Sequence, residues 1–337
     1  MTRKQRILGA LIVVFPFLAF FVSLFIGSWR IPPGDILKAL LSPVFPSLTR
    51  GFADAEGYLA TVFSVRLPRL VLAAMVGSSL SVSGAALQAL FKNPLVNESI
   101  LGISSGAAFG ASISLVFLGA AVPPQAAAFV FAVGAVLMVL AIARKSNSSI
   151  VSLLLTGVIT SAFFSALLAL VEYFASPYAL QSLFNWLMGN MTWPGWRELA
   201  VALPLMAAGI VVLILMRWRL NALSMTDEEA RTLGVNVRRD KILVILTATL
   251  MTAAATSVAG IIGWVGLLVP HLVRMMVGVD NRRVVPLSAA LGAGYLLLAD
   301  DLARSVAAFE LPVGIFTSLI GIPFFIVLLR KSGRQWL

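Results

Sequence analysis

Ten long apolar runs, each closed off by a charge, a proline or an asparagine, dominate this chain. They cover about residues 7–26, 67–90, 95–118, 125–143, 150–174, 199–216, 242–259, 261–277, 284–299 and 311–329. Roughly 20 apolar residues are what an α-helix needs to cross the hydrocarbon of a bilayer. In that medium every backbone N–H and C=O must be satisfied within the segment, which a helix does and an open strand does not. The pattern therefore predicts an all-α membrane protein of about ten transmembrane helices. Composition agrees, with 60% of the 337 residues apolar and 12% charged, against roughly 45–50% and about 25% in soluble domains. A water-soluble globule, a disordered chain and a collagen-like rod are excluded on that ground. With no cysteine and a single histidine, thiol chemistry and disulfides are absent and little remains from which to build a transition-metal site.

A net charge of +11 invites a nucleic-acid reading, and the placement of the charges answers it. Arg3, Lys4 and Arg6 precede the first run, which is too long for a signal-peptide core and has no small-x-small cleavage site after it. It reads as an uncleaved first helix with its basic end inside. Threading ten helices from there sets 18 Lys and Arg on the cytoplasmic side and 7 outside, with the acids split 6 and 8. That asymmetry is the positive-inside rule and accounts for the basicity without nucleic acid. Both termini are then cytoplasmic. Residues 31–57 read as an external segment with a short amphipathic helix. The loop 217–241, the densest in charge, is cytoplasmic and separates six helices (6–216) from four (242–329) within one transmembrane domain spanning 1–337.

The two halves share a spaced pattern. Ser81-Val82-Ser83-Gly84, Pro94 and Gly102 match Ser257-Val258-Ala259-Gly260, Pro270 and Gly278 at a constant offset of 176. The threading runs the first copy inward and the second outward, which makes an inverted internal repeat, an architecture of transporters. Small residues also recur at every fourth position, at Gly77, Ser81, Ala85 and Ala89 and at Gly102, Gly106, Gly110 and Ser114. Each series is a helix face on which a neighbouring backbone can come close.

Chemistry is harder to find. Gly102-Ile103-Ser104-Ser105-Gly106 fits G-x-S-x-G and could pair with His271, but a nucleophile elbow needs a strand turning into a helix and this segment opens an apolar helix. His271 more simply satisfies neighbouring carbonyls. An ion-driven carrier needs carboxylates deep in the bilayer, yet no acid lies between Glu98 and Glu172 or between Asp240 and Asp280, and Glu172, Asp300, Asp301 and Glu310 fall at external helix ends. No phosphate-binding G-x-x-x-x-G-K-[ST] loop occurs either. A separate ATPase subunit would supply the energy. In the loop 217–241, Thr226 and Glu229 are spaced for a capping box ahead of a short helix through Asp227, Glu228, Ala230, Arg231 and Leu233, with Gly234 to stop it. The segment is either a solvated connector or a coupling helix that seats on the ATPase. Arg66, Arg69 and Arg304 stand outside, where basic residues are disfavoured. Headgroup contact or pairing with Asp300, Asp301 or Glu310 would explain them.

Taken in order, these residues resemble the permease subunits of the iron-chelate (siderophore or haem) and cobalamin class of ATP-binding cassette importers. The resemblance runs from about Arg66 to residue 329. It is carried by Arg66-Leu67-Pro68-Arg69, Asn93-Pro94-Leu95, Leu101 to Ala107, Trp186 with Gly189, Glu229 to Gly234, Gly266-Leu267 with Pro270-His271 and Arg274, Glu310 to Gly314, and Gly321 to Phe325. Asn97-Glu98-Ser99 departs from it where relatives often carry a proline, as do Trp264 and the doubled Asp300-Asp301. The resemblance implies a multi-pass homodimer in a prokaryotic inner membrane. Two ATPase subunits that bind ATP and magnesium, and a periplasmic or lipid-anchored binding protein, would complete it; this chain itself would hold no cofactor. It further implies docking of the binding protein at Arg66, Arg69 and Arg304, a cytoplasmic gate at Asn93 and Leu95, and a path lined by the fifth and tenth helices. Tyr173, Phe174, Tyr178, Phe184, Trp186, Met188, Met191 and Trp193, around the outer end of the fifth helix, suit a bulky chelate or equally an interfacial belt.

Overall fold

The structure, a computed structural model, describes residues 2–27, 29–49, 54–143, 150–191, 195–307 and 309–332. In chain order the helices are α1 (Arg3–Ser23), α2 (Pro33–Leu41), α3 (Ala55–Ala60), α4 (Leu67–Phe91), α5 (Ile103–Ile113), α6 (Pro124–Ala143), α7 (Ile150–Phe174) and α8 (Pro177–Leu187). They continue as α9 (Trp196–Leu215), α10 (Arg217–Leu223), α11 (Asp227–Thr232), α12 (Val237–Ala259), α13 (Val265–Val277), α14 (Asn281–Ser305) and α15 (Val313–Ser332). No β-strand occurs among the described residues. Among the described residues seven helices are long and apolar enough to cross a membrane, α3 and α4 forming one rod, Glu56–Phe91, through a π-helical turn at Thr61–Arg66. Ile103–Leu118, Val265–Val277 and Val313–Val327 are shorter apolar helices. Each apolar run of the sequence falls on one of these elements.

Side-chain size sorts the helices. α7 and α9 are exposed along most of their length and present Val151, Leu155, Ile159, Val201 and Leu215 outward, as a helix surrounded by lipid can do at no cost. α4 and α12 are buried along most of theirs and are rich in Gly, Ala, Ser and Thr. The reason is close approach. A side-chain carbon on Gly77 would overlap the carbonyl of Gly292 in α14, and one on Gly292 would overlap that of Gly77. Gly106 and Gly110 of α5 lie in the same way against the carbonyls of Phe131 and Ala127 in α6. Both small-residue faces read from the sequence are thus helix crossings.

In α2 the first-turn Pro33 has no N–H to leave unpaired, Ile36 and Ala39 are buried, and Leu37 and Leu41 are exposed. This is the short amphipathic helix expected within 31–57. The spaced pattern of the two halves does not extend to local conformation. Gly84 is inside α4, whereas Gly260 ends α12 with φ +69°; Pro94 follows α4, whereas Pro270 is inside α13.

Candidate functional site

One end of α4 and the C-terminal turns of α14 build a buried ion cluster. α14 carries Asp300, Asp301 and Arg304 at helical spacing, so Arg304 reaches back to both acids: its Nε lies 3.1 Å from Asp300 and its Nη2 2.5 Å from Asp301. The tight crossing at Gly77 and Gly292 brings α4 near enough for Arg69 to join. Arg69 donates to both Asp300 oxygens, with Nε at 3.1 Å and Nη2 at 2.9 Å, and its Nη1 is 2.8 Å from Glu310. Ser23 of α1 donates to Asp301 at 2.6 Å. Of the two roles weighed for these arginines, pairing with Asp300, Asp301 and Glu310 is what Arg69 and Arg304 do here. Arg66 differs. It is buried, it donates at 2.6 Å to the carbonyls of both Leu24 and Trp29, and no carboxylate pairs with it among the described residues. Trp29, Thr61, Arg66, Arg69, Arg304 and Glu310 line a cavity of about 190 Å³, so an electropositive hollow opens beside an otherwise balanced cluster.

At the other end of α4 the helix stops at Lys92, whose φ of +53° is rare for a residue with a side chain. Asn93 then closes a small turn, its Oδ1 accepting from the Leu95 N–H at 2.9 Å, and leaves the Leu95 side chain 58% exposed. A few residues on, the Ile100 carbonyl packs on Gly157, seven residues inside α7, and Glu98 packs on Gly266 of α13, itself against Gly84 of α4. Glu98 is buried to 3% exposure. It opens a 3₁₀ turn, Glu98–Leu101, enclosed by the surrounding helices.

α11 is the helix expected at 226–234. Thr226 Oγ1 accepts from the Glu229 N–H at 3.3 Å while Glu229 accepts from the Thr226 N–H at 2.9 Å, the capping box, and Gly234 ends the turn with φ +77°. Ala230 is the buried anchor; Glu228, Glu229, Arg231, Leu233 and Gly234 are exposed. Asp227 ties α11 to α12 through Lys241 at 2.8 Å and stands 4.0 Å from Lys92 at the end of α4. The hydrogen bond from Lys241 holds the Asp227 carboxyl below the usual range, and the Thr226 N–H does so for Glu229. The link from Asp227 to Lys92, far apart in the chain, had no signal in the sequence.

Between α8, the α12–α13 link and α15 lies an open cleft of about 500 Å³, lined by Leu187, Met188, Ile261, Trp264, Ile315 and Leu319. Backbone bonds frame it: Val313 donates to Gly189 at 3.0 Å, Gly314 to Met188 at 3.1 Å and Asn190 to Ala259 at 2.9 Å. Tyr173, Phe174, Tyr178, Phe184 and Met188 are exposed, Trp186 is half-buried and Met191 is buried; Trp193 lies outside the described residues. Ser104 and Ser105 sit in the first turn of α5, without the strand a nucleophile elbow requires. His271 lies 6.1 Å from the ring of Phe325.

Comparison with known proteins covers nearly the whole chain. The model of the FecCD transport family matches residues 12–331. The chain is 44% identical to the cobalamin import system permease protein of Halobacterium salinarum, over 85% of this chain and 79% of that one. To the hemin transport system permease protein of Yersinia pestis it is 40% identical, over 81% and 84%. A solved metal-chelate type ABC transporter, in an inward-facing conformation, superposes with a TM-score of 0.84 at 33% identity, covering 96% of this chain and 99% of that one.

Proposed function

This chain belongs to the FecCD transport family, and from that premise we propose that it is the membrane-spanning permease of an ATP-driven importer for a bulky metal chelate. The observation that carries the reading is a family match along almost the full length of an all-helical chain. A ferric siderophore, haem or cobalamin is the substrate class, supported by relatives named for haem and cobalamin. The working assembly is two copies of this chain with two ATPase subunits, which bind the ATP and magnesium, and a periplasmic or lipid-anchored binding protein, in a prokaryotic inner membrane. Each copy spans the bilayer ten times in two halves of inverted topology, with both termini in the cytoplasm.

Three places serve that cycle. The hollow at Arg66, Arg69 and Arg304 takes an acidic side chain of the binding protein, because Arg66 has a planar fork of donors and no carboxylate of its own. Asn93 and Leu95 form the cytoplasmic gate. α11 is the coupling helix, with its exposed Glu228, Arg231 and Leu233 facing the ATPase and Asp227 passing its movement to the gate end of α4. An ion-coupled carrier is the alternative, and the family match disfavours it.

The test is reconstitution of the chain in proteoliposomes with the cassette ATPase and binding protein encoded beside it, loaded with whatever chelate copurifies with that binding protein. Uptake should require ATP, both ATPase subunits and the binding protein. Uptake driven by an ion gradient without them would favour the carrier.

A further inference from the structure

Glu98 has no part in the machinery just described, yet it sits at the centre of a tight junction. Its Oε2 is buried without a hydrogen-bond partner. It occupies the space a side chain on Gly266 would need, and the Leu80 carbonyl borders the same space. On the far side of Gly266, its carbonyl packs on Gly84 and accepts from Gln88 Nε2 at 3.2 Å. The carboxyl group therefore fastens the segment after the gate, 96–102, to both α4 and α13.

Among the described residues no charge compensates it. α5 and α6 carry no ionisable residue, and the Glu172 and Tyr173 of α7 lie at its far end. Those of α12, Arg238, Arg239, Asp240 and Lys241, lie in its first turns, where Asp240 already holds Arg219. On α4, Arg66 and Arg69 belong to the opposite end, and Lys92 beyond its last turn faces Asp227. On α13, Arg274 is bonded to Gln88 and to the Ala85 carbonyl, and His271 packs on Phe325. An ionised carboxylate without a cation in such a place costs several kcal/mol. A neutral acid costs far less, and its O–H is a donor for a neighbouring carbonyl. An ionisable group at membrane depth is, for the same reason, a mark of function.

We propose that Glu98 is a proton-binding site, which as a neutral acid seats the gate segment on Gly266 and on losing its proton releases that segment from α13. The proton leaves to water on the gate side and returns when the segment reseats, so opening is favoured as pH rises. That the released segment is a gate rests on the permease reading; the seat itself does not.

The experiment reads conformation, not transport, so its failure would leave the permease reading intact. The chain has no native cysteine, and Leu95→Cys in the full-length protein can carry a nitroxide spin label in lipid nanodiscs. Label mobility should rise with pH between 5 and 9 in a single-proton transition. Glu98→Gln should abolish the transition and hold the low-pH spectrum throughout. Gly266→Ala, which keeps the acid and fills its seat, should give the mobile spectrum at every pH, and it serves if the Gln variant does not fold. A flat wild-type profile, or a Glu98→Gln transition like that of the wild type, overturns the proposal.

Discussion

Arg66, Arg69 and Arg304 stand close together and have different tasks. Removing Asp300 would leave two buried guanidinium groups short of a partner, a change that costs about 3–5 kcal/mol when a buried pair is broken. Arg66, held by carbonyls among the described residues, is the better probe of docking, because Arg66→Gln removes its charge and leaves the ion pairs of Arg69 and Arg304 in place. The variant should bind the binding protein at least tenfold more weakly at low salt, a loss of about 1.4 kcal/mol or more. Rising salt should narrow the difference, since steering is screened. Surface plasmon resonance on the nanodisc-embedded transporter measures both, and equal affinities at low salt would remove Arg66 from the docking surface. That Arg69 and Arg304 pair with Asp300, Asp301 and Glu310 was legible as one of the readings their sequence allowed. That Arg66 lacks an acid was not, because its carbonyl partners depend on where the end of α1 comes to lie.

At the scale of elements, α11 shows how far local chemistry can be read. Threonine, glutamate three residues later and a terminal glycine announce the helix by themselves, since each acts on backbone groups within one turn. Gly234 has φ +77° and open space where a side chain would go, so its constraint is conformational and not steric. Gly234→Val should therefore unwind the stop of α11 at a cost of about 1–3 kcal/mol, leaving the apolar helices inserted. Stimulation of the partner ATPase by loaded binding protein should fall severalfold while ATPase activity of the isolated subunits is unchanged; normal stimulation would separate α11 from coupling. The re-entrant stretch 96–102 was illegible. Its residues read as the start of an apolar run, and Gly157 and Gly266 on two other elements make room for it.

For the molecule as a whole, the apolar segments made an all-helical membrane architecture legible, because hydropathy is a property of each segment alone. Which helix crosses which was not, since any Gly-rich face can meet any other. The expected orientation can be checked with single cysteines at exposed serines in a cysteine-free chain. In intact cells an impermeant maleimide should label Ser47→Cys and leave Ser224→Cys unmodified; labelling of the latter would invert the topology. The ion cluster also bears on how the chain is made. Arg69 and Asp300 are 231 residues apart, and at about 5–20 residues per second a ribosome needs roughly 10–50 s to connect them. Throughout that interval α4 carries Arg69, whose partners Asp300 and Glu310 do not yet exist. Its long stem can carry the charge to the nearby headgroups, so this end of α4 is held in the bilayer by lipid first and by the protein's own carboxylates only when α14 emerges.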